Sequence, residues 1–232
     1  TRESRAILKA SEVSDEPNFE HLSKARAIVV LGGMRTRKSM WAFGTCQRLK
    51  KYKRIIYYNF PRKDLLKAQG FESMENLDDL SKTVDAVVVI DEAALVMKRQ
   101  EKRNNDELQK ILTVAGQNNL TIIIITQISQ LINKTLESLI DCFVVMDLDY
   151  SQLKNGSTAK RMIRQHCTFS PEYYKLPAGE FLYSSRNFMV FEPHSRFEPH
   201  PAYNMEWSLA YKNAARPSPS PVKRLINYVT WK

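Results

Sequence analysis

Ala27-Ile28-Val29-Val30-Leu31-Gly32-Gly33-Met34-Arg35-Thr36-Arg37-Lys38-Ser39 decides the fold. Its first five residues are uninterrupted apolar and read as a strand buried on both faces, and a helical segment, Met40 to Lys50, follows the basic turn. In a strand, a glycine turn ending in Lys-Ser, and a helix, backbone N–H groups at the helix N-terminus can surround phosphate oxygens. Lys38 then reaches the β- and γ-phosphates and Ser39 offers its hydroxyl to Mg²⁺. The pattern G-x-x-x-x-G-K-[ST] holds from Gly32 at every position but one, where Arg37 replaces the final glycine. If that position requires a left-handed backbone or lies against phosphate, an arginine strains the loop; if it points outward, its cation adds phosphate affinity. The plainer alternative is an ordinary basic strand-to-helix turn.

Moving outward, apolar β-branched runs recur at Arg54 to Tyr58, Ala86 to Ile90, Thr121 to Ile125 and Cys142 to Met146, with helix-length stretches between them. Short hydrophobic strands spaced by helices predict an α/β fold: a mostly parallel, doubly wound sheet with helices on both faces. Past Asp149, Glu180 to Tyr183 and Asn187 to Phe191 flank Ser184-Ser185-Arg186 and predict a late hairpin that extends the sheet. The organisation expected is an N-terminal helical segment over 1–25, lying on the surface, a main domain over 26–192 and an extended proline-rich strap and tail over 193–232.

Val87-Val88-Val89-Ile90-Asp91-Glu92 is an apolar strand ending in two carboxylates, as magnesium-assisted phosphoryl transfer requires. Asp91 can hold the metal's water shell opposite Ser39, so Ser39 and Asp91 are the candidate Mg²⁺ ligands. Glu92 can polarise the water that attacks the γ-phosphate. The plainer reading is a helix N-terminus that favours acids. Thr126-Gln127, after the fourth strand, adds an amide that could contact the γ-phosphate or that water; such a pair is also a common helix cap.

The order of these parts, with Asn119 to Gln127, Leu131 to Val145 and Leu176-Pro177-Ala178-Gly179-Glu180-Phe181, resembles the FtsK/HerA superfamily of DNA-pumping ATPases. It also resembles the Zot group of filamentous phages and the conjugative coupling proteins within that superfamily. The resemblance runs from about Arg26 to about Glu192. It implies a RecA-like P-loop NTPase core in which Lys38, Ser39, Asp91, Glu92 and Gln127 carry ATP hydrolysis. ATP would lie against Gly32, Gly33, Met34, Arg35, Thr36, Arg37, Lys38, Ser39 and Met40. It further implies a homo-oligomeric ring, a hexamer by preference, with Arg26 as a possible arginine finger reaching a neighbour's γ-phosphate; an exposed charge flanking a strand is the alternative. Where several relatives place an arginine serving the active site in cis, this chain has Gln117-Asn118, which leaves Arg35 and Arg37 as local candidates.

Thirty-five basic against 25 acidic residues give a net charge of +10, which suits a polyanionic partner or a solvated surface. Lys98-Arg99-Gln100-Glu101-Lys102-Arg103, after the Asp-Glu strand, could track a DNA backbone without reading sequence. Arg48, Lys50, Lys51, Lys53 and Arg54, interleaved with Tyr52, Tyr57 and Tyr58, fit a surface better than a base-stacking platform. The echo Phe191-Glu192-Pro193-His194 and Phe197-Glu198-Pro199-His200 reads as an extended strap over the core rather than a metal site.

Cys46, Cys142 and Cys167 sit among apolar neighbours and read as buried thiols in a reducing, cytoplasmic setting, that of a host cell if the protein is viral. With 43% hydrophobic residues and apolar runs far too short to span a bilayer, neither a disordered chain nor a membrane partner is expected. The expectation is a Mg²⁺-dependent ATPase ring that moves DNA, double-stranded by preference. A compact viral genome-packaging motor comes first, ahead of a Zot-like phage assembly ATPase or a HerA-like repair or conjugation translocase. The rival from another class is a non-hydrolysing nucleotide- or DNA-binding module whose loop Arg37 has spoiled.

Overall fold

A computed structural model of the chain describes residues 19–91, 104–127, 138–148, 181–185, 192–194 and 199–214. Along it run helix α1 (Phe19–Lys24), strand β1 (Ala27–Leu31), helix α2 (Lys38–Leu49), β2 (Arg54–Tyr58), α3 (Lys63–Ala68) and β3 (Glu72–Met74). A 3-10 turn (Leu77–Lys82), β4 (Ala86–Ile90), α4 (Asn104–Gln117), β5 (Thr121–Thr126), β6 (Cys142–Val145), β7 (Phe181–Ser185), β8 (Glu192–His194) and α5 (Met205–Ala214) follow. Among the described residues the strands form one sheet in the order β3-β2-β4-β5-β1-β6-β7-β8. The six strands from β3 to β6 in that order are parallel, and β7 and β8 close the far edge antiparallel.

Every residue of β1, β4 and β5 is buried, which explains why these stretches show no polar alternation. Successive side chains point to opposite faces of the sheet and so feed two separate cores. Val29, Leu31, Val88, Ile90, Ile122 and Ile124 pack on one side with Leu112 and Ala115 of α4. Ile28, Val30, Val87, Val89, Ile123 and Ile125 pack on the other with Leu22 of α1, Trp41, Phe43 and Leu49 of α2, and Trp207 and Ala210 of α5. Each such Val, Leu or Ile removed from water contributes roughly 1.5–3 kcal/mol, so the central strands are the most strongly held part of the molecule. This is the parallel, doubly wound α/β sheet expected from the strand pattern, and the RecA-like P-loop core that the resemblance implied.

The differences from expectation have local causes. Strand β3 has three residues, of which Glu72 and Ser73 are exposed, too short and too polar to show a pattern. The late hairpin is present, but β7 runs through Ser184 and Ser185 because they continue the ladder opposite Phe143 and Cys142. Its described antiparallel partner is Glu192–His194, the expected strand Asn187 to Phe191 lying outside the described residues, and Pro193, opposite Leu182, is tolerated because β8 is the outermost described strand. Within 193–232, Met205–Ala214 is helical rather than extended, started by Asn204, whose Oδ1 accepts from the Trp207 N–H at 3.2 Å. Helix α1 is not wholly a surface element, since Leu22 is fully buried.

Cys46 and Cys142 are buried; Cys167, the tail from Pro217 and residues 1–18 lie outside the described residues. Among the described residues no helix is long and apolar enough to cross a membrane.

Candidate nucleotide site

The parallel arrangement brings the C-terminal ends of β1, β4 and β5 to one edge, with β5 between the other two. Leu31 of β1 lies in register with Thr126 of β5, and Ile90 of β4 with Ile124. The Gly32–Ser39 loop, Asp91 and Thr126-Gln127 therefore leave the sheet side by side, although more than 50 residues separate the first from the others in sequence. A crevice beyond the carboxyl ends of parallel strands is where α/β sheets bind ligands.

The loop is tied down at both ends. Gly33 donates its N–H to Asp147 O at 2.8 Å, and the Met146 N–H donates to Leu31 O at 2.8 Å, which fastens the loop's root to the chain leaving β6. A Cβ on Gly32 would stand 2.5 Å from Thr36 Oγ1 and 3.0 Å from Met146 Cβ, so only glycine fits there. Thr36 Oγ1 is itself held, donating to Gly33 O at 3.0 Å. Lys38 is buried and donates through Nζ to Gly32 O at 3.1 Å and Gly33 O at 2.5 Å, so its ammonium lies across the inside of the loop.

Arg37, the residue in place of the last glycine, has φ 68° and ψ 23°. The position thus demands the left-handed conformation, and of the two alternatives open in the sequence the strained one is realised. Arg35 is left-handed as well, at φ 62°. Arg37 is half-buried and Arg35 exposed, and Arg37 precedes a helix whose first turn holds no acidic side chain. The positive end of α2 is therefore met by no carboxylate from its own first turn, as an anion site requires. Met34 at the loop tip is 70% exposed, and Ser39 and Met40 are half-buried.

Asp91 is buried at the tip of β4, Thr126 is buried at the end of β5, and Gln127 next to it is half-buried. Ser39 and Asp91 offer a hydroxyl and a carboxylate, the hard oxygen donors that suit Mg²⁺, and the loop offers backbone N–H groups and an ammonium that suit phosphate. The residues present thus fit both a nucleoside triphosphate and its magnesium. Glu92 and the Lys98 to Arg103 run lie outside the described residues.

Arg26 stands at the start of β1, the opposite edge of the sheet from the loop of its own chain, and pairs with Asp141 at 3.1 Å. Gln117-Asn118 is at that edge too: Asn118 Nδ2 donates to the carbonyls of Leu80, Ser81 and Thr83, clamping the turn before β4. The basic set around Tyr52 is largely structural. Lys53 is buried and donates to Asn119 O and Thr121 Oγ1 at 2.8 and 3.2 Å, Arg48 lies over Phe19, Lys50 over Phe71, and Arg54 pairs with Glu72.

Tyr203, near the charge of Asp91, was not singled out by the sequence. It precedes α5, and its hydroxyl is pushed up to about 12 by burial and then by the charge of Asp91, which puts it within electrostatic reach of the β4 tip. The only sequence signal is an aromatic pair, Tyr203 and Trp207, straddling the cap residue Asn204.

The family description "Zonular occludens toxin (Zot)" matches residues 23–148, more than half of the chain. Comparison with curated protein sequences gives no match. Among solved structures, the genome packaging NTPase B204 of Sulfolobus turreted icosahedral virus 2, in complex with ATP-gammaS, is similar with a TM-score of 0.56 at 16% identity, over 74% of this chain and 97% of that one. The conjugation coupling protein TcpA of pCW3 gives 0.51 at 14% identity, over 75% of this chain and 61% of that one. The cytoplasmic domain of the Thermomonospora curvata type VII secretion ATPase EccC gives 0.53 at 12% identity, over 77% and 24% respectively. At such identities the likeness is one of fold, the P-loop ATPase fold of the FtsK/HerA type.

Proposed function

The chain belongs to the zonular occludens toxin (Zot) family, and from that premise we propose that it is a Mg²⁺-dependent ATPase that works as a ring and moves double-stranded DNA, in the setting of viral genome packaging. The observation that carries the reading is the insertion of β5 between β1 and β4, which sets Gln127 beside both the Lys38 loop and Asp91. Three motifs remote in sequence converge there, and each supplies a different requirement of phosphoryl transfer.

In this reading Lys38 and the loop N–H groups bind the β- and γ-phosphate oxygens. Magnesium, held by Ser39 and Asp91, supplies charge neutralisation at the phosphates. Glu92 accepts a proton from the attacking water as its oxygen bonds to the γ-phosphorus and the bond to the β–γ bridging oxygen breaks, releasing ADP and phosphate. Gln127 orients that water. Arg26 of a neighbouring copy would approach the γ-phosphate, which requires it to leave or share Asp141. The net charge of +10 favours contact with a phosphate backbone. The packaging setting is supported by the likeness to B204, a packaging NTPase matched over 97% of its length. A phage assembly ATPase is the second reading, favoured by the family match over residues 23–148. Either role places the protein inside a host cell, where buried thiols such as Cys46 stay reduced.

The test is steady-state ATP hydrolysis with Mg²⁺, with and without double-stranded DNA, for the parent, Lys38→Ala and Glu92→Gln. DNA-stimulated turnover lost in both variants is the expected result. Nucleotide binding without turnover in the parent would instead make the protein a binding module whose loop Arg37 has disabled.

A further inference from the structure

Arg26 and Asp141 are mounted on the sheet itself. Arg26 O accepts from the Ile122 N–H at 2.8 Å and the Asp141 N–H donates to Ala27 O at 3.1 Å, so both backbones belong to the ladders that join β1 to β5 and β6. The Asp141 carboxylate then takes one flank of the guanidinium: Oδ2 accepts from the Arg26 backbone N–H at 2.7 Å and from Nε at 3.3 Å, and Oδ1 accepts from Nη2 at 3.1 Å. The pair is unequally covered, with 32% of the arginine side chain exposed against 15% of the aspartate's. The carboxylate lies deeper than the cation.

An arginine carries five side-chain N–H groups in a planar fork with two paired edges, one formed by Nε and Nη2 and the other by Nη1 and Nη2. Asp141 occupies the first edge. Among the described residues no acceptor meets the second, so a fixed, partly exposed pair of donors is left for an oxyanion from outside. That oxyanion cannot come from a nucleotide at the same chain's loop, because the five residues of β1, at about 3.3 Å each, hold the fork roughly 16 Å from it. Another molecule must bring it. Exposed apolar side chains stand on both edges of the sheet: Tyr52 and Val84 precede β2 and β4 on the fork's edge, and Met34 lies in the loop on the opposite edge. Joining one copy's fork edge to the next copy's loop edge buries apolar surface on both sides and repeats head to tail, as a ring demands.

We propose that Asp141 is a positioning residue for Arg26: it holds the guanidinium as a fixed fork whose open edge receives the terminal phosphate of a nucleotide bound to a second copy of this chain. This deepens the ring-ATPase reading and rests on it. Arg26 then acts without leaving Asp141, and the entropy of ordering a long side chain is lost once, when the chain folds, rather than in each turnover.

The experiment is steady-state ATP turnover by the full chain, measured below the unfolding midpoint of every variant, for the parent, Arg26→Ala, Arg26→Lys, Asp141→Asn and the double variant of Arg26→Ala with Asp141→Asn. Expected in Asp141→Asn is a fall in kcat of about tenfold or more, with KM for ATP little changed. Arg26→Ala should fall at least as far, and Asp141→Asn should add nothing in that background. Arg26→Lys should not rescue turnover, because an ammonium has no fork. Coexpressing Asp141→Asn with Lys38→Ala copies should restore turnover, since the Lys38→Ala copies bring an intact fork to sites that still hold nucleotide. A packing defect is not repaired by a neighbour, so absence of recovery overturns the inference. So does a normal kcat in Asp141→Asn, which leaves the ATPase itself standing. If Arg26→Ala lowers only the DNA-stimulated part of turnover, the fork serves a DNA phosphate and the inference falls. A parent chain with no turnover overturns both readings.

Discussion

Arg26 closes on Asp141 through its backbone N–H, Nε and Nη2, which donate to the one carboxylate at 2.7, 3.3 and 3.1 Å. The pair ties the start of β1 to the residue before β6, and it raises the arginine's pKa through the hydrogen bonds to Asp141. Gly116 of α4 makes room for it, since a Cβ there would stand 3.1 Å from Arg26 Cδ. Charged hydrogen bonds in a half-buried setting contribute about 1–2 kcal/mol. Asp141→Asn and Arg26→Ala should each lower stability to urea by about that amount, and the double variant should cost less than their sum. Strictly additive losses would show the two residues to be uncoupled.

Arg37 offers a cleaner separation of strain from function. At φ 68° a non-glycine residue is disfavoured by roughly 1 kcal/mol. Arg37→Gly should therefore raise stability by about 0.5–1 kcal/mol, and Arg37→Asn, which tolerates the left-handed region, by less. If the guanidinium also contacts phosphate, both variants should weaken nucleotide binding severalfold as they stabilise the apo chain. Opposite signs in the two measurements identify a residue kept for its charge; stabilisation with unchanged binding leaves the arginine without a role at the site.

Most of this fold was legible because the central strands are buried on both faces, and such strands announce themselves as unbroken Val and Ile runs like Val87 to Ile90. Asp91 and Gln127 could be named as candidates because they stand at the ends of such runs, and Lys38 and Ser39 because they close the glycine turn that follows Ala27 to Leu31. What escaped were features set by tertiary contact. Strand β3 takes its order from β2 and has no pattern of its own. Lys53 reads as a surface lysine and is buried only because Asn119 and Thr121 supply acceptors from 66 and 68 residues away. Tyr203 comes within reach of the charge of Asp91 only through the docking of α5. Conformation was the other blind spot, since the sequence names Arg37 but not its φ.

Trp207 tests how much α5 contributes. Its indole is enclosed by Phe43, Phe60, Tyr57 and Phe71, and Phe43 alone has four aromatic rings within 6 Å. Trp207→Ala should cost about 3–5 kcal/mol in chemical denaturation, the usual range for emptying a large aromatic site. Trp207→Phe should recover more than half of that loss. A loss under about 1 kcal/mol would mean that the helix is dispensable to the fold.

Cys46 makes the alkaline behaviour predictable. Burial pushes its thiol up to about 12, an effect only partly offset by a hydrogen bond with Tyr57. Below the ordinary thiol value of 9.0 both folded and unfolded chains keep the proton, and this group leaves stability independent of pH. Between 9 and about 12 the unfolded chain releases a proton that the folded chain retains, so stability falls as pH rises, by at most about 1.4 kcal/mol per unit. Urea midpoints measured from pH 8 to 10.5 should decline, and Cys46→Ala, whatever its own cost in packing, should flatten the decline. For the same reason iodoacetamide at pH 8 should leave Cys46 unmodified until the chain is unfolded. Rapid alkylation of the native protein, or an identical slope in Cys46→Ala, would contradict a thiol sealed behind α2 and β2.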